Sequence, residues 1–537
     1  MDEFQLFFPL EIFQLIFEKC DFLIQIRFTQ LCKNFGKLFI DDLANIDKKY
    51  LKLLTNEILQ QPKFSKITKL NASWNINITN VSYFKNLKIL YAEGRCCGLG
   101  HNGILDLDLI ELRASGNPNI YDVSWMKNLK ILWAQANSRI NQKGIMGLTN
   151  LTELSVSRNS HINDISHLTN LKKLRASGTS CGIGQDSISK LNLTELYASY
   201  NPNITDVSHM TLLEVLHAAG SSGICQFSIE RLNLVRLNAS NNVNINSVKH
   251  MTKLRILYAK NKSGIKKCGI YNLDLVKLYV SNNPEIYDID DMKSLKVLEA
   301  KGKSRIARPS ISKLNLVKLN INGNNKIKDV SHMRKLRVLH ASNCNLGQSG
   351  IKNLNLSELY VSGNSNIIDV SHMKNLKILC AANRCGIDQK GIHGLDLTKI
   401  NVSHNPKIFD FSQMTNLSVL KACGNHKISQ NSIQNLNLKK LWLSFIPKAL
   451  DISHMTNLVE LYAERNDQSA HFPNLPIWYI TLGTPQTTTV INSAGGVRTT
   501  LFRDEVKFLN HGHNFVEMFA HGYRYFYRRV DYVHNLL

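Results

Sequence analysis

Six histidines fall in one slot of a recurring pentapeptide: His167, His209, His332, His372 and His454, with His250 in a looser copy. Imidazole binds metals and carries protons, so this row is the first place to look for chemistry. The spacing argues against a metal. The copies stand 40 to 42 residues apart. If two strands stack within each period, at about 4.8 Å per strand, equivalent histidines lie about 10 Å apart. Metal–nitrogen bonds of about 2.0–2.1 Å need ligands that converge far more closely. A hydrogen-bonding or surface role is expected. Four more histidines, His511, His513, His521 and His534, lie among Phe515, Phe519, Tyr523, Tyr525, Phe526 and Tyr527 without companion ligands at a recognisable spacing. Arg524, Arg528 and Arg529 among those aromatics could touch RNA, but the run is short and the signal weak. No cysteine follows Cys423, so the tail offers no transthiolating nucleophile. The chain has no phosphate-binding loop, nucleophile elbow or zinc-protease helix. No catalytic residue, metal site or cofactor is expected.

Residue types suited to binding are abundant. Tyr91, Arg113, Trp133, Arg175, Tyr197, His217, Tyr258, Tyr279, His340, Tyr360, Trp442 and Tyr462 recur at equivalent places, joined by Lys260, Lys301 and Lys421. Tyr, Trp and Arg are enriched where binding energy concentrates. The element that positions them is visible in the repeat. Asp122-Val-Ser-Trp-Met126 returns as Asp164-Ile-Ser-His-Leu168, Asp206-Val-Ser-His-Met210, Asp329-Val-Ser-His-Met333, Asp369-Val-Ser-His-Met373 and Asp451-Ile-Ser-His-Met455. Each period holds two related units of about 20 residues, one opening at Leu196-Tyr-Ala-Ser-Tyr-Asn201 and the next at Leu216-His-Ala-Ala-Gly220. The strand period of two turns Leu196 and Ala198 inward and Glu195, Tyr197 and Ser199 outward. Asn201 closes the strand, and its amide is placed to pair with main-chain groups left open by the turning chain. Ile204 and Val207 turn inward again, and Met210 closes the coil from the far side.

These units fit the pattern Leu-x-x-Leu-x-Leu-x-x-Asn, so the chain resembles the leucine-rich-repeat family. The resemblance spans residues 67–466, about 20 coils. It implies an α/β solenoid, an arc or horseshoe whose concave face is a parallel sheet. A bound protein target would then meet the twelve residues named above. The unit Leu441-Trp-Leu-Ser-Phe-Ile446 replaces the closing Asn with Ile446, as expected near a cap.

Residues 1–47 do not repeat. Phe8-Pro9-Leu10-Glu11 opens an amphipathic run with Ile16-Phe17, followed by Leu23, Ile26, Leu31-Cys32, Phe35 and Leu38. Pro9 and the spacings of three and four indicate short packed helices. The segment is similar to an F-box, with Phe8 where that family has Leu. This resemblance implies that Phe8, Pro9, Glu11, Ile16, Phe17, Leu31 and Cys32 dock on a Skp-type adaptor and so on a cullin ubiquitin ligase. Without that role the segment would cap the first coil. Tyr50, Leu51, Leu54 and Ile58 indicate a helical linker or N-terminal cap over residues 48–66. Residues 467–537 differ in composition and are expected to form a C-terminal cap, helical or mixed, or an extension, with a loop at 484–500.

The totals agree with a binding protein. The 537 residues would ordinarily imply several domains, but the repeat makes one elongated body. A net charge of +24 attracts acidic partners. No basic run concentrates it, which argues against nucleic acid. Eleven cysteines, several in a Cys-Gly position (Cys97, Cys181, Cys385), suit small buried turn residues and not disulfides. No apolar stretch of 18 residues suggests a membrane span, and the acidic start lacks the charge of a signal peptide. A cytoplasmic location is expected, with the nucleus as a second compartment. F-box proteins with such arrays occur in eukaryotes and in the large DNA viruses that infect them. The abundance of Asn, Lys and Ile suits an AT-rich genome of either origin, and a viral chain would work in the host cytoplasm.

Overall fold

Leucine every second position, followed by a short turn and a buried Asn, dictates one strand per coil. The computed structural model shows this from Lys69 onward. It describes residues 14–15, 18–20, 22–31, 38–46, 48–443, 450–452, 454–458 and 460–464, together with strands between 480 and 527. The described chain forms two compact units. One comprises residues up to Tyr258 with Lys262–Ile270; the other comprises Ala259–Asn261 and the chain from Tyr271 onward.

In the first unit, three-residue strands recur from Lys69–Asn71 to Ile256–Tyr258. Each pairs in parallel with the next in constant register, Leu opposite Leu: Leu196 faces Leu174 on one side and Leu216 on the other. Leu196, Ala198, Ile204, Val207 and Met210 are all fully buried. The interior is thus a stack of identical apolar layers, and deleting one such Leu would leave a cavity costing about 3–5 kcal/mol. The second unit repeats the scheme from Lys277–Tyr279 to Lys440–Trp442. The next strand, Glu460–Glu464, pairs in parallel with Lys440–Trp442 before it and Ile480–Thr484 after it.

The opposite side carries single helical turns such as Gln185–Ile188 and Gln226–Ile229, each too short to be stable alone. They persist because Ile188 and Ile229 are buried in the core. No helix among the described residues is long and apolar enough to cross a membrane.

The ends differ in detail from the sequence expectation. Among the described residues the N-terminal segment contains the helix Phe22–Leu31. It also contains a short strand, Asp42–Leu43, that pairs in parallel with Lys69 and Leu70. Residues 48–66 form two helical turns, Lys48–Leu51 and Asn56–Leu59, and a 3-10 turn at Pro62–Phe64, in place of one linker helix. Thr55 caps the second turn by accepting from the Ile58 amide, and Pro62 cannot continue it. In the tail, Thr487–Val490 and Thr499–Leu501 are antiparallel strands where a loop was expected. The β-branched threonines there favour extended backbone.

Candidate functional site: the strand face

The outward side chains of the strands form rows across neighbouring coils. All twelve residues predicted to meet a target stand in the third position of a strand or its equivalent, half-buried. In the first unit they touch each other. The Arg113 guanidinium lies 4.2 Å from the Tyr91 ring centre and 4.3 Å from that of Trp133. Arg175 lies 4.1 Å from Tyr197 and 5.9 Å from Trp133. Tyr197 then contacts His217 at 4.5 Å, and His217 stands 6.5 Å from Tyr258. Alternating cations and rings hold one another in place, each such contact contributing on the order of 1 kcal/mol.

A parallel row of carboxylates, two residues upstream on the strands, neutralises those cations. Glu111 accepts a hydrogen bond from Arg113 Nε at 2.7 Å. Glu153 accepts from Trp133 Nε1 at 3.1 Å and lies within 3.5–3.7 Å of Lys173 and Arg175. Tyr197 donates its hydroxyl to Glu195 at 2.8 Å. Burial, then that hydrogen bond, pushes the Tyr197 hydroxyl above its ordinary pKa. Two nitrogens on this face, Arg175 Nε and His217 Nε2, are buried with no hydrogen-bond partner. Burial, reinforced by Arg236 and Arg175, pushes the His217 imidazole down to about 4, so it is neutral at physiological pH.

The second unit is arranged differently. Lys260 and Lys301 both reach Glu299, at 2.7 and 3.6 Å, and Ser281 donates to it. Burial pushes the Glu299 carboxyl up, but the hydrogen bonds and the two lysine charges outweigh that and hold it below its ordinary value. Lys260 also lies 5.3 Å from the Tyr279 ring centre. His340 stacks flat on Tyr360 at 4.1 Å, and Tyr360 donates to Glu358. Lys421 sits 4.2 Å over the Trp442 ring, and Tyr462 faces Trp442 across the strand pair.

The histidine row lies on the opposite side. Nε2 of His167, His209, His250, His332 and His454 donates to the carbonyl of Ile145, Ile188, Ile229, Ile311 and Ile433, at 3.0–3.5 Å. Each histidine thus ties a coil to the helical turn before it, and Trp125 does the same to Leu107. His372 in the same slot is exposed. No group of three or more metal-binding side chains occurs among the described residues. A buried asparagine closes each full period. Asn201 donates to the carbonyls of Ala176 and Ile183 and accepts from the Asn203 amide.

Sequence reading missed two features. One is the strand-face carboxylate row, legible only once the strand phase is known. The other is a glutamine row: Gln185 Oε1 accepts from the amides of Thr205 and Asp206 while its Nε2 donates to the Asp206 carbonyl. Gln142, Gln348 and Gln389 repeat the device. The recurrence of Gln one period apart was its signal. Of the residues proposed to meet an adaptor, Phe8, Pro9, Glu11, Ile16, Phe17 and Cys32 lie outside the described residues. Leu31 ends the helix Phe22–Leu31.

No family model and no curated protein matches the sequence. Solved structures with some likeness include a TLR13–ssRNA13 complex, at 17% identity over 81% of each chain and a TM-score of 0.44. Another is the functional domain of InlJ from Listeria monocytogenes, described as including a cysteine ladder. It matches at 20% identity over 73% of this chain and 72% of that one, with a TM-score of 0.32. The coil geometry of this chain, one short parallel strand and one buried leucine layer per turn, is that of a leucine-rich-repeat solenoid.

Proposed function

We propose that this protein is a non-catalytic substrate-recognition subunit of a Skp/cullin/F-box-type ubiquitin ligase, holding a protein target on its strand face. The observation that carries the binding half is the preformed row Tyr91–Arg113–Trp133, continued by Arg175–Tyr197–His217. Side chains already fixed by stacking lose little entropy on binding, which is what a docking surface requires. The interleaved Glu111, Glu153 and Glu195 disfavour a polyanion there, because phosphates would have to displace carboxylates from their arginine and lysine partners. A protein surface of mixed charge has no such conflict. The adaptor half rests on the F-box resemblance of Phe8, Pro9, Glu11, Ile16, Phe17, Leu31 and Cys32. Bond-making would be left to partners, and the protein's contribution would be position.

A second reading, a plain interaction scaffold with no link to ubiquitination, also has support. Asp42–Leu43 extends the sheet at its first edge, and Gln14 pairs with both main-chain groups of Phe39, contacts that a cap would also make. Deleting residues 1–47 would expose that edge and confuse the two readings. Substitution separates them. Pro9→Ala with Glu11→Ala should abolish recovery of adaptor and cullin from cells while labelling of strand-face partners persists. Failure of the intact protein to recover adaptor and cullin, where other F-box proteins do, removes the ligase reading and leaves the scaffold.

A further inference from the structure

The two strand faces differ in how their charges are matched. From Lys277 to Lys440 the first strand position alternates, coil by coil, between a charged residue and an aliphatic one, and the first unit follows the same scheme except at Lys173. In the first unit the charged positions after Lys69 are Glu111, Glu153, Lys173 and Glu195, then Arg236, with Lys173 lying 3.5 and 3.6 Å from the two glutamates beside it. Lys69 itself is paired with Asp42 at 2.9 Å. In the second unit they are Lys277, Lys318, Glu358, Lys399 and Lys440. Lys440 pairs with Glu460 at 2.7 Å. Lys277, Lys318 and Lys399 make no ion pair among the described residues, and the last two are exposed. Half-buried Val297, Val338 and Ile378 occupy the strands between or beside them.

We infer that the strand face of the second unit takes an extended acidic segment of a protein partner, with apolar side chains interspersed among its carboxylates. This deepens the strand-face reading above and rests on it. Charge complementarity identifies the occupant. Three unmatched ammonium groups stand in one row, and acidic side chains would supply their missing partners. Aliphatic residues on the alternate strands offer apolar contact at the same pitch, which an all-acidic chain would leave unused. Glu358 interrupts the row midway, and a uniformly charged phosphate backbone would have to cross it. A peptide can place a neutral residue there. Lys277 to Lys440 spans eight strand spacings, about 38 Å, the reach of about 12 extended residues.

The test uses the full chain and fluorescence anisotropy with a labelled peptide of about 12 residues repeating Glu-Glu-Val-Val, so that each side of the extended chain carries both residue types. Binding is expected, falling with salt, and weakening at least tenfold in Lys318→Glu with Lys399→Glu. Lys318→Ala with Lys399→Ala should weaken it less, and Val338→Ser severalfold. Reversal of an exposed lysine away from the strands, Lys352→Glu, should leave it unchanged. Circular dichroism confirms that each variant remains folded. No binding by the parent protein, or undiminished binding by the double reversal, overturns the inference. Equal or tighter binding of a single-stranded RNA of the same charge, lost with the same reversal, also overturns it in favour of a polyanion site. A cellular partner lost with Tyr197→Ala and Tyr258→Ala but kept by the double reversal overturns this inference alone and leaves the strand-face reading in place.

Discussion

Asn201 concentrates the hydrogen-bond logic of the whole solenoid in one side chain. It is fully buried and satisfies two carbonyls and one amide that the turning chain would otherwise strand. Asn201→Ala removes those partners and leaves buried polar groups unpaired, at about 1–3 kcal/mol for each strongly desolvated group. A loss of about 2–4 kcal/mol in urea unfolding is expected, with an unchanged denaturant slope. His217 makes a second residue-scale prediction. Its folded pKa, near 4, lies below its ordinary 6.5. The neutral form is therefore the one the fold favours. Its contribution to stability is complete above pH 6.5 and is lost as pH falls from there toward 4. Imidazole NMR should show His217 neutral at pH 5, and a titration near 6.5 would contradict the burial described.

The turn after each strand sets the element-scale constraints. Tyr200 holds φ +59 and its ring lies across Gly220, itself at φ +68. Trp74 over Gly94 and His404 over Gly424 repeat the pairing. A side chain at Gly220 would meet the Tyr200 ring and adopt a left-handed backbone, so Gly220→Ala should lower stability by about 1–2 kcal/mol by thermal unfolding. On the opposite side, Asp164, Asp206 and Asp369 each accept the amide of the serine two residues on. Those hydrogen bonds hold the carboxyls below their ordinary 3.8. A depressed carboxyl pKa stabilises the fold above 3.8 and ceases to do so as pH falls through the folded value. Acid unfolding should therefore steepen below about pH 3.8, and replacing all three by Asn should flatten that limb.

Repetition governs behaviour at the scale of the molecule. Each coil contacts its neighbours, so whole periods are interchangeable while half-periods are not. Removing residues 195–235 joins Thr194 to Arg236 and restores the strand register. That variant should keep its circular dichroism per residue and unfold cooperatively. Removing only 215–235 places Tyr200 against Asn241 where Gly220 had been. It should be markedly less stable in the same measurement. Both outcomes follow from the alternation of a bulky and a bare residue at the turn.

The sequence by itself determined the coil. Leu196, Ala198, Ile204 and Met210 sit inside because strand alternation and a strict repeat leave apolar side chains one direction that avoids water. It also determined that Tyr197 and its equivalents point outward. Only the tertiary structure decided which outward residues meet. Arg113 falls between Tyr91 and Trp133, and Glu153 beside Lys173 and Arg175, because residues some 20 positions apart are brought side by side in register. Charge matching depends on such lateral neighbours. A composition of +24 could therefore not reveal that Arg113, Lys173 and Arg175 stand beside carboxylates while, among the described residues, Lys277, Lys318 and Lys399 do not.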